Sequence, residues 1–208
     1  MMTRSLFAGA AAALLAVPAF AAPVAYDIDP THSNAIFAVK HMMVSTVRGE
    51  FGKVEGKVVW DAANPANSTV DATIDANTLS TREEKRDQHL KSPDFFDVAN
   101  HPKITFKSTK VEAAGKGLYK VTGDLTIRGN TKPVVLDVEG PTAEVKDPAG
   151  NTKVGASATT KLNRKDFGVS WNKNLDSGGV VVSDDVTIQI DLELKKAAAA
   201  GEAPKKKS

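Results

Sequence analysis

Val186-Thr187-Ile188-Gln189-Ile190-Asp191-Leu192-Glu193-Leu194-Lys195 is the stretch that decides the fold. Every first residue of each pair is aliphatic and every second one is polar or charged. Such unbroken alternation describes an extended strand with one face on a core and the other in water, because successive side chains of an extended backbone point to opposite sides.

The same period recurs upstream. Val70, Ala72, Ile74 and Ala76 alternate with Thr69, Asp71, Thr73 and Asp75. Tyr119, Val121, Gly123, Leu125 and Ile127 form another row, and Val134, Leu136 and Val138 continue it after a turn at Arg128-Gly129-Asn130. Val154, Ala156, Ala158, Thr160 and Leu162 follow the turn Asp147-Pro148-Ala149-Gly150. Further strands are expected near 33–40, 50–60 and 102–112. The total is about eight strands, most joined by turns too short for parallel crossovers, so the sheet is antiparallel. Eight strands with one apolar face each either close into a barrel or stack as a sandwich. Several of these exceed the usual length of about five or six residues, and long twisted strands favour closure. The predicted fold is all-β, an antiparallel eight-stranded barrel.

One stretch departs from the pattern. Thr81 to Asp97 carries Arg82, Glu83, Glu84, Lys85, Arg86 and Asp87, then His89, Leu90, Phe95 and Phe96. Thr81 with Glu84 three residues on has the form of a capping box, and Pro93 should end the helix. A short helical segment bearing two Phe suits a lid over a barrel mouth.

The ends of the sequence bear on location. Arg4, the apolar run Leu6–Val17, Pro18 and Ala19-Phe20-Ala21 have the layout of a secretory signal peptide over residues 1–21. There is no cysteine, which excludes a disulfide framework, a thiolate metal site, a cysteine nucleophile and lipid attachment at an N-terminal cysteine. Together these point to a soluble protein of a bacterial periplasm. Residues 22–196 then form one barrel domain, and 197–208, ending Pro204-Lys205-Lys206-Lys207, a disordered basic tail. The formal net charge of +2 loses one unit with Arg4 and exerts no long-range pull on nucleic acid.

An eight-stranded barrel is just wide enough to be filled by its own side chains or to hold one ligand. Ala72, Ala76, Gly123, Ala156 and Ala158 interrupt the apolar rows. Small inward residues either leave room or accommodate a large neighbour such as Phe37, Phe51, Phe106 or Trp60. Composition leaves both open.

A set of collinear pieces is more specific. Tyr26-Asp27-Ile28-Asp29-Pro30-Thr31-His32-Ser33 opens the domain, and Val39-Lys40-His41-Met42 and Val47-Arg48-Gly49-Glu50-Phe51 follow. Then come Arg86-Asp87-Gln88-His89-Leu90, Pro93-Asp94-Phe95-Phe96-Asp97 and Pro102-Lys103-Ile104-Thr105-Phe106. Gly123-Asp124-Leu125-Thr126-Ile127-Arg128-Gly129 and Asn163-Arg164-Lys165-Asp166-Phe167-Gly168 complete the series. In this order the chain resembles the YceI-like family of periplasmic polyisoprenoid-binding proteins, from about Ala25 to Leu194. The resemblance implies a lipocalin-like barrel with a long apolar channel, a bound prenyl chain of the ubiquinone or polyprenyl phosphate type, and a homodimer. It tips the barrel toward hollow. No cofactor other than such a lipid is expected, and at most transient contact with a membrane surface.

On that reading Phe37, Val39, Phe51, Ile104, Phe106, Leu125, Ile127, Leu162 and Phe167 form the channel wall. Met42, Met43, Leu90, Phe95 and Phe96 form the mouth and lid. Arg48, Arg86, His89 and Arg164 are the polar candidates at the mouth, as headgroup ligands or as ties between lid and rim. The four histidines His32, His41, His89 and His101 lack metal-motif spacing and an accompanying carboxylate cluster, so no metal site is expected. Ser33, His32 and Asp29 make no hydrolytic triad, because adjacent Ser and His on a strand face opposite sides. The function expected is a carrier with no bond made or broken. Its rivals are a small periplasmic enzyme acting on a prenyl compound and an electron-transfer partner presenting quinone to a membrane cytochrome.

Overall fold

A computed structural model describes residues 22–176 and 178–198 of the chain. The leader over 1–21 and the tail from residue 199 onward lie outside the described residues. Strands β1 (Val24–Ile28), β2 (Asn34–His41), β3 (Ser45–Phe51), β4 (Val54–Trp60), β5 (Thr69–Asp75) and β6 (Leu79–Ser80) come first. The one α-helix among the described residues, α1 (Glu84–Lys91), follows. Then come β7 (Lys103–Gly115), β8 (Leu118–Ile127), β9 (Asn130–Glu139), β10 (Val145–Lys146), β11 (Thr152–Asn163) and β12 (Val182–Lys196).

Twelve segments make eight staves, because four staves consist of two segments each: β1 with β2, β3 with β4, β5 with β6, and β9 with β10, both of which pair with β11. β1 and β2 both pair with β12, β3 and β4 pair with β2 and β1 respectively, and β5 and β6 pair with β4 and β3. From β5 the ladder runs through β7, β8 and β9 to β11. β11 pairs with β12 from Lys153↔Lys195 to Asn163↔Asp185, which closes the ring. The sheet is thus the closed eight-stranded antiparallel barrel expected from the alternation. β8 and β9 are joined by Arg128 and Gly129, both at positive φ (49° and 73°), the geometry of a two-residue hairpin turn that follows the strand twist. Ala197, assigned from sequence to the tail, still donates to the Ala25 carbonyl at 2.9 Å beside β1.

Along β12 the aliphatic row faces inward, and its burial carries information. Val186 and Leu194 are buried, whereas Ile188, Ile190 and Leu192 between them are only half-buried. Inward side chains that retain accessible surface in the middle of a stave must border an internal space. The barrel is closed at the wall and open within.

Two inward glycines serve neighbours rather than that space. A Cβ on Gly123 would stand 2.5 Å from the Phe106 ring, and one on Gly49 would stand 2.3 Å from the Phe37 ring. Each ring occupies the space that a side chain at the glycine would fill. Ala72, Ala156 and Ala158 instead face the cavity. Both explanations for small inward residues therefore hold, at different positions.

α1 is not capped as expected. The Glu83 carboxylate accepts from the backbone N–H groups of Arg86 (2.6 Å) and Lys85 (3.3 Å). Thr81 donates both its N–H and its hydroxyl to Asp87 Oδ1, at 2.7 and 2.5 Å. Asp87 competes for Thr81, and Glu83, two residues closer to the helix, takes the capping position.

Candidate functional site

The cavity has a volume of about 250 Å³ and runs most of the barrel's length. Tyr26, Trp60, Tyr119 and Pro141 stand toward one end, and Leu90, Phe95, Phe96, Phe167 and Val169 toward the other. A single water needs only roughly 10–15 Å³ of such space, and it needs polar partners. Two of the wall hydroxyls are engaged within the protein: Thr160 Oγ1 donates to the Val135 carbonyl (2.8 Å) and Ser68 Oγ accepts from Asp61 N (3.0 Å). The titratable side chains of the wall are Tyr26, Tyr119 and Arg164. Burial first, and the nearby Glu144 carboxylate second, push the Tyr26 hydroxyl above its ordinary pKa.

All nine residues expected on the channel wall line the cavity, as do Leu90, Phe95 and Phe96 of the lid. Phe51 packs between Phe37 (5.7 Å between ring centroids) and Phe96 (5.4 Å, edge-on), which ties the lid to the wall. Met42 and Met43 do not line the cavity. The chain reverses there beyond the last paired residues, His41 and Ser45, and carries both side chains past the rim into solvent.

The lid has two halves. One is the segment from Thr81 to His101 that contains α1, and the other runs from the 3-10 turn Arg164–Phe167 to the start of β12. Trp171 was not singled out from sequence, yet it joins them: its ring lies 5.2 Å from Phe95 and 5.1 Å from His89, and His89 meets Phe95 edge-on at 5.0 Å. His89 Nε2 is 2.9 Å from Asp94 Oδ2. A tryptophan within the polar run after Gly168 is the signal that could have marked the second half. Arg128 at the β8–β9 tip reaches both halves, donating from Nη2 to the Pro93 carbonyl (2.6 Å) and from Nη1 to the Gly168 carbonyl.

Three of the four polar mouth candidates take other roles. Arg48 sits on the outer, exposed face of β3, since Val47 and Gly49 occupy the alternate positions. Arg86 donates to the Thr81 hydroxyl (2.7 Å) and carbonyl (2.9 Å), tying α1 to its entry loop. Arg164 does line the cavity and is only 6% exposed. Its Nη1 donates to the carbonyls of Val169 (2.6 Å) and Trp171 (2.9 Å), and its Nε to Ser183 (2.9 Å). Nη2 adds longer contacts to the Val182 carbonyl (3.4 Å) and Asp184 Oδ1 (3.5 Å). A guanidinium has five N–H donors, and all are engaged within the protein, leaving none for a headgroup. Burial lowers the Arg164 pKa and Asp184 opposes that effect. His89 alone stands at the mouth among lid side chains.

The histidines hold one departure from expectation. His32 lies 3.1 Å from Asp29 Oδ2 and 3.5 Å from Glu193 Oε1, a group of the kind able to ligate a metal. A cationic group already stands between the two carboxylates: Lys153 Nζ, 2.9 Å from Asp29 and in contact with Glu193. Bonds from Thr31, then Lys153 and His32, hold the Asp29 carboxyl well below its ordinary pKa. Glu193, then Asp29, push the Lys153 ammonium above its own. Ser33 Oγ is turned to the Glu193 backbone, from whose N–H it accepts at 3.0 Å. The cluster clasps β1, β11 and β12 together on the outside of the barrel.

Comparison with known proteins gives a consistent likeness. A family model described as the YceI-like domain matches residues 26–194. A UPF0312 protein of Vibrio cholerae is 38% identical over 170 residues, 81% of this chain and 89% of its own length. One from Photorhabdus laumondii is 37% identical over 193 residues, 92% of this chain and 97% of its own. Among solved structures, the Campylobacter jejuni YCEI protein is 32% identical with a TM-score of 0.64, covering 76% of this chain and 90% of its own. Burkholderia cenocepacia BcnA is 26% identical with a TM-score of 0.68, covering 80% and 99%. A polyisoprenoid binding domain from Saccharophagus degradans shares the fold at 18% identity and a TM-score of 0.61, covering 84% and 99%.

Proposed function

The chain belongs to the YceI-like family, and on that premise we propose that it is a periplasmic carrier holding the chain of an isoprenoid lipid, of the ubiquinone or polyprenyl phosphate type, inside its barrel. The observation that carries this reading is the half-buried middle of the inward β12 row: Ile188, Ile190 and Leu192 keep accessible surface that only the cavity can supply. Unfilled apolar surface facing a closed interior is what a hydrocarbon ligand covers.

The dimensions suit a long ligand. From Val186 to Leu194 the inward row spans about 26 Å at roughly 3.3 Å per residue, and the wall continues beyond both ends. Each buried methylene contributes about 0.8 kcal/mol, so about ten of them give about 8 kcal/mol, in the micromolar range. Affinity then comes from area, and discrimination between chains that differ by one unit is weak. The scarcity of titratable wall side chains favours holding over chemistry, since general acid–base or nucleophilic catalysis needs such groups beside the substrate.

Native mass spectrometry of protein purified from its own host, before and after addition of a prenyl quinone, tests the reading. The expected result is a bound species of lipid mass in the wild type that is lost in Ile190→Trp, whose larger ring occupies the cavity from its half-buried position on β12. A wild type that stays unliganded after lipid addition, or an Ile190→Trp protein that keeps the ligand fully, overturns it.

A further inference from the structure

We propose that the β2–β3 turn is a membrane-docking tip that seats the lid end of the barrel on a bilayer containing anionic phospholipid. Three observations meet there. Met42, Met43 and Val44 are 45%, 65% and 84% exposed, so half of the six large apolar residues exposed among the described residues stand in consecutive positions at one tip. Apolar side chains scattered singly over a surface need no explanation, but a contiguous group marks an interaction site.

The backbone adds to the argument. Met42 and Met43 have φ values of 52° and 60°. Left-handed geometry at consecutive turn positions favours Gly, Asn or Asp, and methionine gains nothing there in folding. Folding stability alone therefore does not account for these residues, whereas contact with hydrocarbon does: methionine is unbranched, flexible and suited to an irregular apolar surface.

Charge and position then select the occupant. Met42 N–H donates to the Val181 carbonyl (2.8 Å), and Val181 N–H donates to the Lys173 carbonyl (2.9 Å), so tip and second lid half lie side by side. Lys173 stands over Trp171 at 6.0 Å, and Lys40 precedes the turn on β2. Both lysines are exposed and neither engages an ion pair among the described residues. An apolar tip flanked by free ammonium groups matches acyl chains beneath anionic headgroups. The proposal rests on the carrier reading in one respect: a water-insoluble ligand has to enter from a bilayer, and this tip adjoins the lid.

The test is co-flotation of the full chain with vesicles of phosphatidylglycerol and phosphatidylcholine, and separately of phosphatidylcholine alone. The triple variant Met42→Asn, Met43→Asn, Val44→Ser is compared with Lys40→Glu/Lys173→Glu. Wild type is expected to float with the anionic vesicles, and the triple variant to bind them about tenfold more weakly or worse. The lysine variant should lose its preference for anionic over neutral vesicles. Because Asn accepts positive φ more readily than Met, the triple variant should unfold at the same or a higher denaturant concentration than wild type, which removes misfolding as an explanation. Equal vesicle binding by wild type and triple variant overturns the proposal. So does a concentration-dependent dimer of the wild type that the triple variant lacks, since the tip then covers a second copy of the chain. Lipid retained in the triple variant by native mass spectrometry separates failure of docking from failure of the carrier reading.

Discussion

Replacing Arg164 by methionine keeps an unbranched side chain in the wall but removes every donor. The guanidinium makes three bonds of 2.6–2.9 Å, to the carbonyls of Val169, Trp171 and Ser183, and two longer contacts to Val182 and Asp184. Deleting one member of a buried charged cluster costs about 3–5 kcal/mol, because its partners are left unpaired. Two contacts here are long, and Asp184 keeps Lys165 at 2.9 Å, so the lower figure, about 3 kcal/mol, applies. The loss falls on the second lid half, whose chain the guanidinium fastens to the first residues of β12. At about 1.4 kcal/mol per tenfold, hydrogen-exchange protection of the Val169 and Val181 amides should drop about a hundredfold. The amides of the β11–β12 ladder should change far less. Lipid dissociation should accelerate with the loop opening. Arg164→Lys should recover little, since one ammonium cannot serve carbonyls in several directions. An Arg164→Met protein within about 0.5 kcal/mol of wild type, with unchanged protection at Val169 and Val181, would refute the idea that this arginine holds the lid.

Three further outcomes follow from the geometry. Gly49→Ala should cost about 1–3 kcal/mol, because its Cβ would stand 2.3 Å from Phe37 and 2.7 Å from Thr81 Cγ2. Adding Phe37→Leu should restore part of that loss in denaturant unfolding, giving a non-zero coupling in the double-mutant cycle. Asp29, with a folded pKa depressed mainly by its Thr31 and Lys153 bonds, contributes stability that is present above the unfolded carboxylate pKa and lost as pH falls toward its folded value. Urea midpoints measured from neutral pH down to about 3 should therefore fall less steeply in Asp29→Asn than in wild type; parallel slopes would show that the clasp carries no acid sensitivity. Arg128→Ala should loosen both lid halves at once, since one guanidinium holds the Pro93 and Gly168 carbonyls; faster lipid release with an unchanged barrel unfolding midpoint is the expected signature.

The wall of the site was legible from alternation because a strand's two faces are set by its backbone, and a single well-marked row such as Val186–Leu194 orients its neighbours through the ladder. Phe37, Phe51 and Phe106 were candidates as large inward neighbours, and the resemblance placed them on the wall of a hollow barrel rather than in a filled core. What alternation could not show is how inward side chains meet across the barrel. Gly123 and Ala156 look alike in a row, yet one lies under the Phe106 ring and the other faces the cavity. Polar mouth residues were harder still. Arg164 and Arg86 stand in the expected pieces, but whether a guanidinium faces a ligand or its own backbone depends on carbonyls brought close only by folding. Trp171 escaped notice because it sits in a loop with no period at all. Thr81 and Glu83 were both chemically able to cap α1, and the position of Asp87 decided between them.

Three of the broken staves are neighbours, and their interruptions at 29–33, 52–53 and 76–78 lie side by side, stitched by Thr78 Oγ1 donating to the Gly52 carbonyl at 3.0 Å. In an unbroken stave an inserted residue would flip everything beyond it from lumen to solvent. At this seam the extra residue is absorbed in a bend, and the alternation on either side survives. An insertion at this seam can therefore lengthen or re-angle one half of the tube while the trough of β7, β8, β9, β11 and β12 stays as it is, so the bore can be refitted without redesigning the vessel.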